Sequence, residues 1–255
     1  MKVKYPAEAF ALSLILSSGT MKGAFLSGVL VLLAVVLAEF LKNLLEDGIP
    51  LWSLRLCVYV GTGGICGAAF YLGFAAVGEE LWAGLWLMTV LIGLLSARHV
   101  LKSSLEADYD GIFWESAFVW GMGILLAAAR ELLAEGEIFG YPLFQASFQS
   151  KSFGDVIFGF LAAGLALAFA NAVLKKKCTD TQSWYLAVPM IVFARPFEMV
   201  SFGSVIGAVW TIGVSLALFF SIKKTLKFSR TGPAYRGLPA EMLSLGFLYM
   251  ILSIY

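Results

Sequence analysis

The chain has 255 residues, of which 60% are hydrophobic and 14% charged, with a formal net charge of +1 and a mean hydropathy of +0.87. That composition excludes an ordinary soluble domain and marks a membrane protein. The near-neutral balance excludes a basic nucleic-acid footprint and a disordered acidic tail, and neither a zinc-finger nor a phosphate-loop pattern occurs.

Lipid offers no partner to backbone groups, so apolar runs near the ~20 residues that span a bilayer read as helices. Nine such runs follow one another, over residues 7–21, 23–43, 52–76, 81–97, 112–133, 154–174, 184–200, 203–222 and 238–254. The first, fourth and seventh are shorter or more interrupted. The opening "MKVKYPAEAFALSLILSSG" has the basic lead and apolar centre of a signal peptide, yet another apolar run follows at once, so it reads as a retained segment. Cys57, Cys66 and Cys178 have no paired spacing and read as buried free thiols.

Threading nine spans places nearly all Lys and Arg on the N-terminal side, including the clusters at 175–177 and 223–230. Only Lys22, Arg130 and Lys151 fall opposite, and Arg195 is left inside a span. The positive-inside rule then puts the N-terminus in the cytoplasm and the C-terminus outside.

The interrupted runs recur every third span, which suggests a unit of one broken helix and two further helices, used up to three times. An odd number of spans per unit inverts the first two copies relative to each other, a plan found in proteins that move solutes across bilayers. Gly63 and Gly67, and Gly203 and Gly207, have the four-residue spacing of close helix packing.

Several charges lie within or beside the spans. Arg195 and Glu198 in "FARPFE" share a helical face around Pro196, and read either as an ion-path or substrate contact at a broken helix or as a structural pair. Arg98 and His99 end the fourth run, and His99 is expected to be solvated. Glu39 and Lys42 read as an interfacial pair, and Glu115 is expected to face the headgroups. No nucleophile, base and orienting group stand at recognisable spacings, so no catalytic residue is assigned.

The stretch "GILLAAARELLAEGEIFGYPLF", with Arg130-Glu131 and Gly140, resembles an element closing the fifth helix of the Rnf/Nqr family. These are integral membrane subunits of ion-translocating ferredoxin:NAD and NADH:quinone oxidoreductase complexes. The resemblance runs over residues 1–177, through "KGAFLSGVLVLLAVVLAEF", "VLIGLLSARHV" and "DVIFGFLAAGLALAFANAVLKKK". It implies six helices in two inverted halves, each beginning with a broken helix, in a bacterial inner membrane. The placement of the Arg130-Glu131 pair, where the apolar run ends, suggests separately that it fixes the outer end of a long helix. Members place a cysteine in each broken helix and share an iron–sulfur cluster between two homologous subunits. Here the matching positions are Ser13 and Ser96, so the two-iron, two-sulfur cluster of the family is expected to be absent and no cofactor is expected.

Residues 178–255 form an additional three-helix unit, and "GPAYRGLPAEMLSLGFLYMIL" resembles the lead into the last helix of another family branch. The expectation is an all-α polytopic protein without catalytic activity of its own. One reading is a non-redox scaffold or ion-path subunit beside flavin or iron–sulfur partners. The other is a stand-alone secondary transporter, with Arg195, Glu198 and Arg98 as first contacts.

Overall fold

The computed structural model describes residues 3–79, 83–102, 109–144, 146–147, 149–178, 182–194, 203–225 and 232–253. Among them run nine α-helices: α1 (Ala7–Ser17), α2 (Met21–Leu45), α3 (Leu51–Val77), α4 (Ala83–Lys102), α5 (Tyr109–Glu135), α6 (Val156–Leu174), α7 (Trp184–Ala194), α8 (Ser204–Thr225) and α9 (Leu238–Leu252). Strands β1 (Glu137–Ile138) and β2 (Tyr141–Pro142) form an antiparallel hairpin after α5. Each expected run contains a helix, with the described ends moved by a few residues, and residues 195–200 of the seventh run lie outside the described residues. Helices α2, α3, α5, α6 and α8 are long and apolar enough to cross a membrane, and the architecture is that of an all-α membrane protein.

The first expected run stops early for a local reason. Thr20 adopts extended backbone and caps α2, its hydroxyl accepting the Gly23 N–H at 3.1 Å, so α1 cannot continue into α2. Helix α1 is apolar on all sides and correspondingly buried on all sides, packed by α2, α4 and α6 and touching α5. Its 11 residues reach only about 16 Å along the axis, roughly half the hydrocarbon thickness of a bilayer.

Close backbone approach sets this packing. A Cβ on Gly159 of α6 would lie 2.4 Å from the Ile15 carbonyl oxygen of α1, and one on Gly93 of α4 would lie 2.7 Å from the Thr62 carbonyl oxygen of α3. Helices α6 and α9 interlock reciprocally: Gly164 receives Leu243, and Gly246 receives Leu161, each within 2.7 Å of an added Cβ. Gly63 and Gly67 do pack on α4, against Leu94 and Val90. Gly203 does not pack, having open space around it and a left-handed φ of 80° that places it in the turn before α8.

Large apolar side chains such as Leu51, Val60, Leu72, Leu125 and Val205 point outward, which suits a lipid surrounding. Trp52, Trp114 and Trp184 are exposed at the starts of α3, α5 and α7. Tryptophans at helix ends are typical of the membrane–water boundary.

Candidate functional site

A helix too short for the bilayer leaves backbone groups at both ends that water does not reach, and these need partners within the protein. Two polar clusters supply them. Their anchors on α5, Glu115 and Arg130, are 15 residues apart, or about 22 Å along the axis, longer than α1 itself, so they reach Lys4 and Ser18 just beyond its two ends.

At one end, the Arg130 guanidinium donates to the Phe153 carbonyl at 2.9 Å, to the Asp155 carbonyl at 2.8 Å and to the Ser18 hydroxyl just beyond α1. Glu131 accepts the Met21 N–H at 2.7 Å and the Gly140 N–H at 2.8 Å. Met21 opens α2, so its N–H is one of the donors a helix start leaves unpaired, and a carboxylate there also suits the helix dipole. The second bond holds the β1–β2 turn, where Phe139 and Gly140 have φ of 59° and 78°. That is a mirror-type two-residue turn in which a bulky first residue is disfavoured. The Lys22 ammonium, 5.9 Å from the Phe139 ring centre, covers the ring. Beside this end, an open groove of ≈ 690 Å³ is lined by Glu135, Glu137, Gln149 and Lys151.

At the other end, Glu115 accepts the Lys4 N–H at 2.7 Å and the Lys176 ammonium, while His99 Nε2 lies 2.7 Å from the Lys4 carbonyl oxygen. The residue leading into α1 thus has both backbone groups satisfied. Alongside, Arg98 of α4 donates to Glu8 of α1 at 3.2 Å and to the Gln182 side-chain oxygen at 3.0 Å, and stacks 3.8 Å over the Tyr185 ring of α7. Glu8 also accepts the Gln182 N–H at 2.6 Å. Helices α1, α4 and α7 are therefore joined at one end by one ionic and aromatic network, although α4 itself is a continuous helix of 20 residues and not the interrupted one expected.

Asn171, near the end of α6, ties residues 178–253 to the rest. Its side-chain oxygen faces the Tyr5 hydroxyl and the Cys178 thiol, each at 3.4 Å, and its amide donates to the Ala234 carbonyl at 3.1 Å. Burial, with Cys178 adding to it, holds the Tyr5 phenol well above its ordinary pKa, and burial pushes the Cys178 thiol up. A raised thiol pKa leaves little thiolate at neutral pH, so Cys178 is expected to label slowly with maleimide. Asn171→Ala should cost about 1–3 kcal/mol by leaving buried groups unsatisfied. In a chain carrying Ser at positions 57 and 66, that substitution should also speed Cys178 labelling severalfold. Unchanged labelling would remove Asn171 from its tying role.

The other expected residues fall as follows. Arg98, Arg130 and Glu131 lie in the two clusters, on opposite ends of the bundle. Ser13 and Ser96 are fully covered, and each hydroxyl donates within its own helix, to the Phe10 carbonyl at 3.0 Å and the Ile92 carbonyl at 2.9 Å. Cys66 lies beside Gly93 of α4. One thiol and two occupied alcohols do not make a cluster ligand set, and no group of three metal-ligating side chains occurs among the described residues. Arg195 and Glu198 lie outside the described residues.

Three expectations are corrected. His99 is partly buried against the Lys4 carbonyl, because the N-terminal segment folds over it. Glu115 is buried and bonded, not turned to the headgroups. Glu39 is buried and one carboxylate oxygen has no hydrogen-bond partner, so the pair with Lys42 does not form. Sequence reasoning missed Glu8 and Asn171. A lone asparagine in the apolar "AFANAVL" was the available signal, since a polar group in lipid demands a partner.

Comparison with known proteins yields no matching family, no matching curated protein and no matching solved structure.

Proposed function

We propose that the chain is a non-redox integral membrane subunit, or divergent relative, of an Rnf/Nqr-type electron-transport-driven ion pump, giving scaffold or ion path. The observation that carries this reading is the engagement of Arg130 and Glu131. The element that resembles the family joins the end of α1, the start of α2, the hairpin and the start of α6. The neighbour pattern favours two inverted halves. The α1–α6 contact has its counterpart in α4–α3, and α2–α3 has its counterpart in α5–α6, while α1 meets α4 and α2 meets α5. Gly159 and Gly93 make the close approaches in the first pair of counterparts. The match is incomplete, since α2 packs on α4 more extensively than α5 packs on α1. Serines committed to their own helices agree with a subunit that carries no electrons.

A second reading, a stand-alone secondary transporter, is favoured by the junction of α1, α4 and α7 through Glu8, Arg98 and Tyr185. One preparation separates the two. Gentle purification from native membranes should recover flavin or iron–sulfur subunits with this chain, and the chain alone should hold no stoichiometric iron. Ion or solute flux by the lone chain in vesicles, with no co-purifying subunit, would favour the transporter instead.

A further inference from the structure

Lys175 and Lys177 follow α6, Lys223 and Lys224 lie at the end of α8, and Arg236 leads into α9, and all five are exposed. The fold brings two of them together. Cys178 and Gly237 form an isolated parallel β-bridge, and a Cβ on Gly237 would sit 2.7 Å from the Cys178 carbonyl oxygen. Lys177 and Arg236 directly precede that bridged pair, so the chain brings two exposed cations into one neighbourhood, a placement that a shared anion would favour.

No carboxylate supplies that anion among the described residues. Lys176, between Lys175 and Lys177, turns the other way to Glu115. Helix α8 packs on α9, and Lys223 and Lys224 at the end of α8 and Arg236 just before α9 flank the connection between the two helices, a basic rim. Above the rim, α8 is sparsely covered: 28% of its apolar window is buried, against 61% for α6. Cations at the ends of spans stand at headgroup level, and bare apolar helix continues from them into the hydrocarbon.

We propose that this rim binds anionic phospholipid. The headgroup phosphate bridges Lys177 and Arg236, Lys223 and Lys224 add attraction, and the acyl chains lie along α8. The phosphate explains the paired cations, and the acyl chains explain the uncovered helix.

The test uses the full chain in mild detergent, followed by thermal unfolding and native mass spectrometry. Phosphatidylglycerol, phosphatidylcholine with the same acyl chains, and inorganic phosphate are added separately. Phosphatidylglycerol should raise the unfolding temperature and stay bound, while the other two should do neither. The double variant Lys177→Gln with Arg236→Gln should weaken retention roughly thirtyfold, the factor expected for two cations at an anionic surface. Lys151→Gln, at the opposite end, should retain lipid as the parent does. If the first double variant does not fold, Lys223→Gln with Lys224→Gln carries the test and should show a smaller loss. Equal stabilisation by phosphatidylcholine or by phosphate, equal loss in Lys151→Gln, or full retention in the folded rim variant would overturn the proposal.

Discussion

Glu131→Leu is expected to destabilise the bundle by about 1–3 kcal/mol, because it removes the acceptor of two N–H donors, chiefly the partly buried one at the helix start, while water can replace the carboxylate at the exposed turn. Those donors are Met21 at the start of α2 and Gly140 in the hairpin. Glu131→Gln keeps one acceptor oxygen and should lose about half as much. The measurement is denaturant unfolding in mild detergent, combined with limited proteolysis across residues 136–144. Without the Gly140 bond, the disfavoured backbone at Phe139 has less to hold it, so cleavage there should accelerate before global unfolding. A leucine variant with unchanged stability and unchanged cleavage would mean that the pair only decorates the helix end.

Gly159→Val is expected to cost about 3 kcal/mol or more, the upper end of overpacking penalties. The new side chain would meet the backbone of Ile15, with its carbonyl oxygen at 2.4 Å and its Cα at 3.0 Å, and backbone cannot rotate away as a side-chain tip can. Helix α1 must shift, and with it Ser18 and Lys4, which connect to both polar clusters. Gly121→Ala is the control. Nothing lies within 4 Å of its added Cβ, so it should be neutral or stabilising by up to about 1 kcal/mol through helix propensity. Folded yield and unfolding midpoint measured on both variants separate a packing effect from a general intolerance of substitution in helices.

The helices were readable in the sequence because lipid imposes a coarse rule: long apolar runs must be helical. The place of the break after the first run was less readable: by hydropathy the run extends to residue 21, and only the cap at Thr20 ends the helix sooner. What the clusters contain was not readable. His99 looked solvated beside Arg98, but its partner Lys4 is 95 residues away, and only the tertiary fold brings them together. Glu39 and Lys42 have helical spacing, yet spacing fixes only where side chains start, and burial carried Glu39 inward. Arg130 and Glu131 were recognised as a pair at a helix end. That they work on separate partners, with the arginine holding carbonyls and the glutamate holding amides, follows from which loops arrive beside them.

The reciprocal seating of α6 and α9 restricts how the protein can move. Each leucine occupies a notch in the opposite helix, and the notches are separated along both axes, so sliding α9 or rolling it would drive a branched side chain into main chain. Residues 156–174 and 238–252 therefore travel as a single shaft. Helix α8 is held far less closely, with 28% of its apolar window buried against 61% for α6, so it has more freedom to shift than the α6–α9 pair.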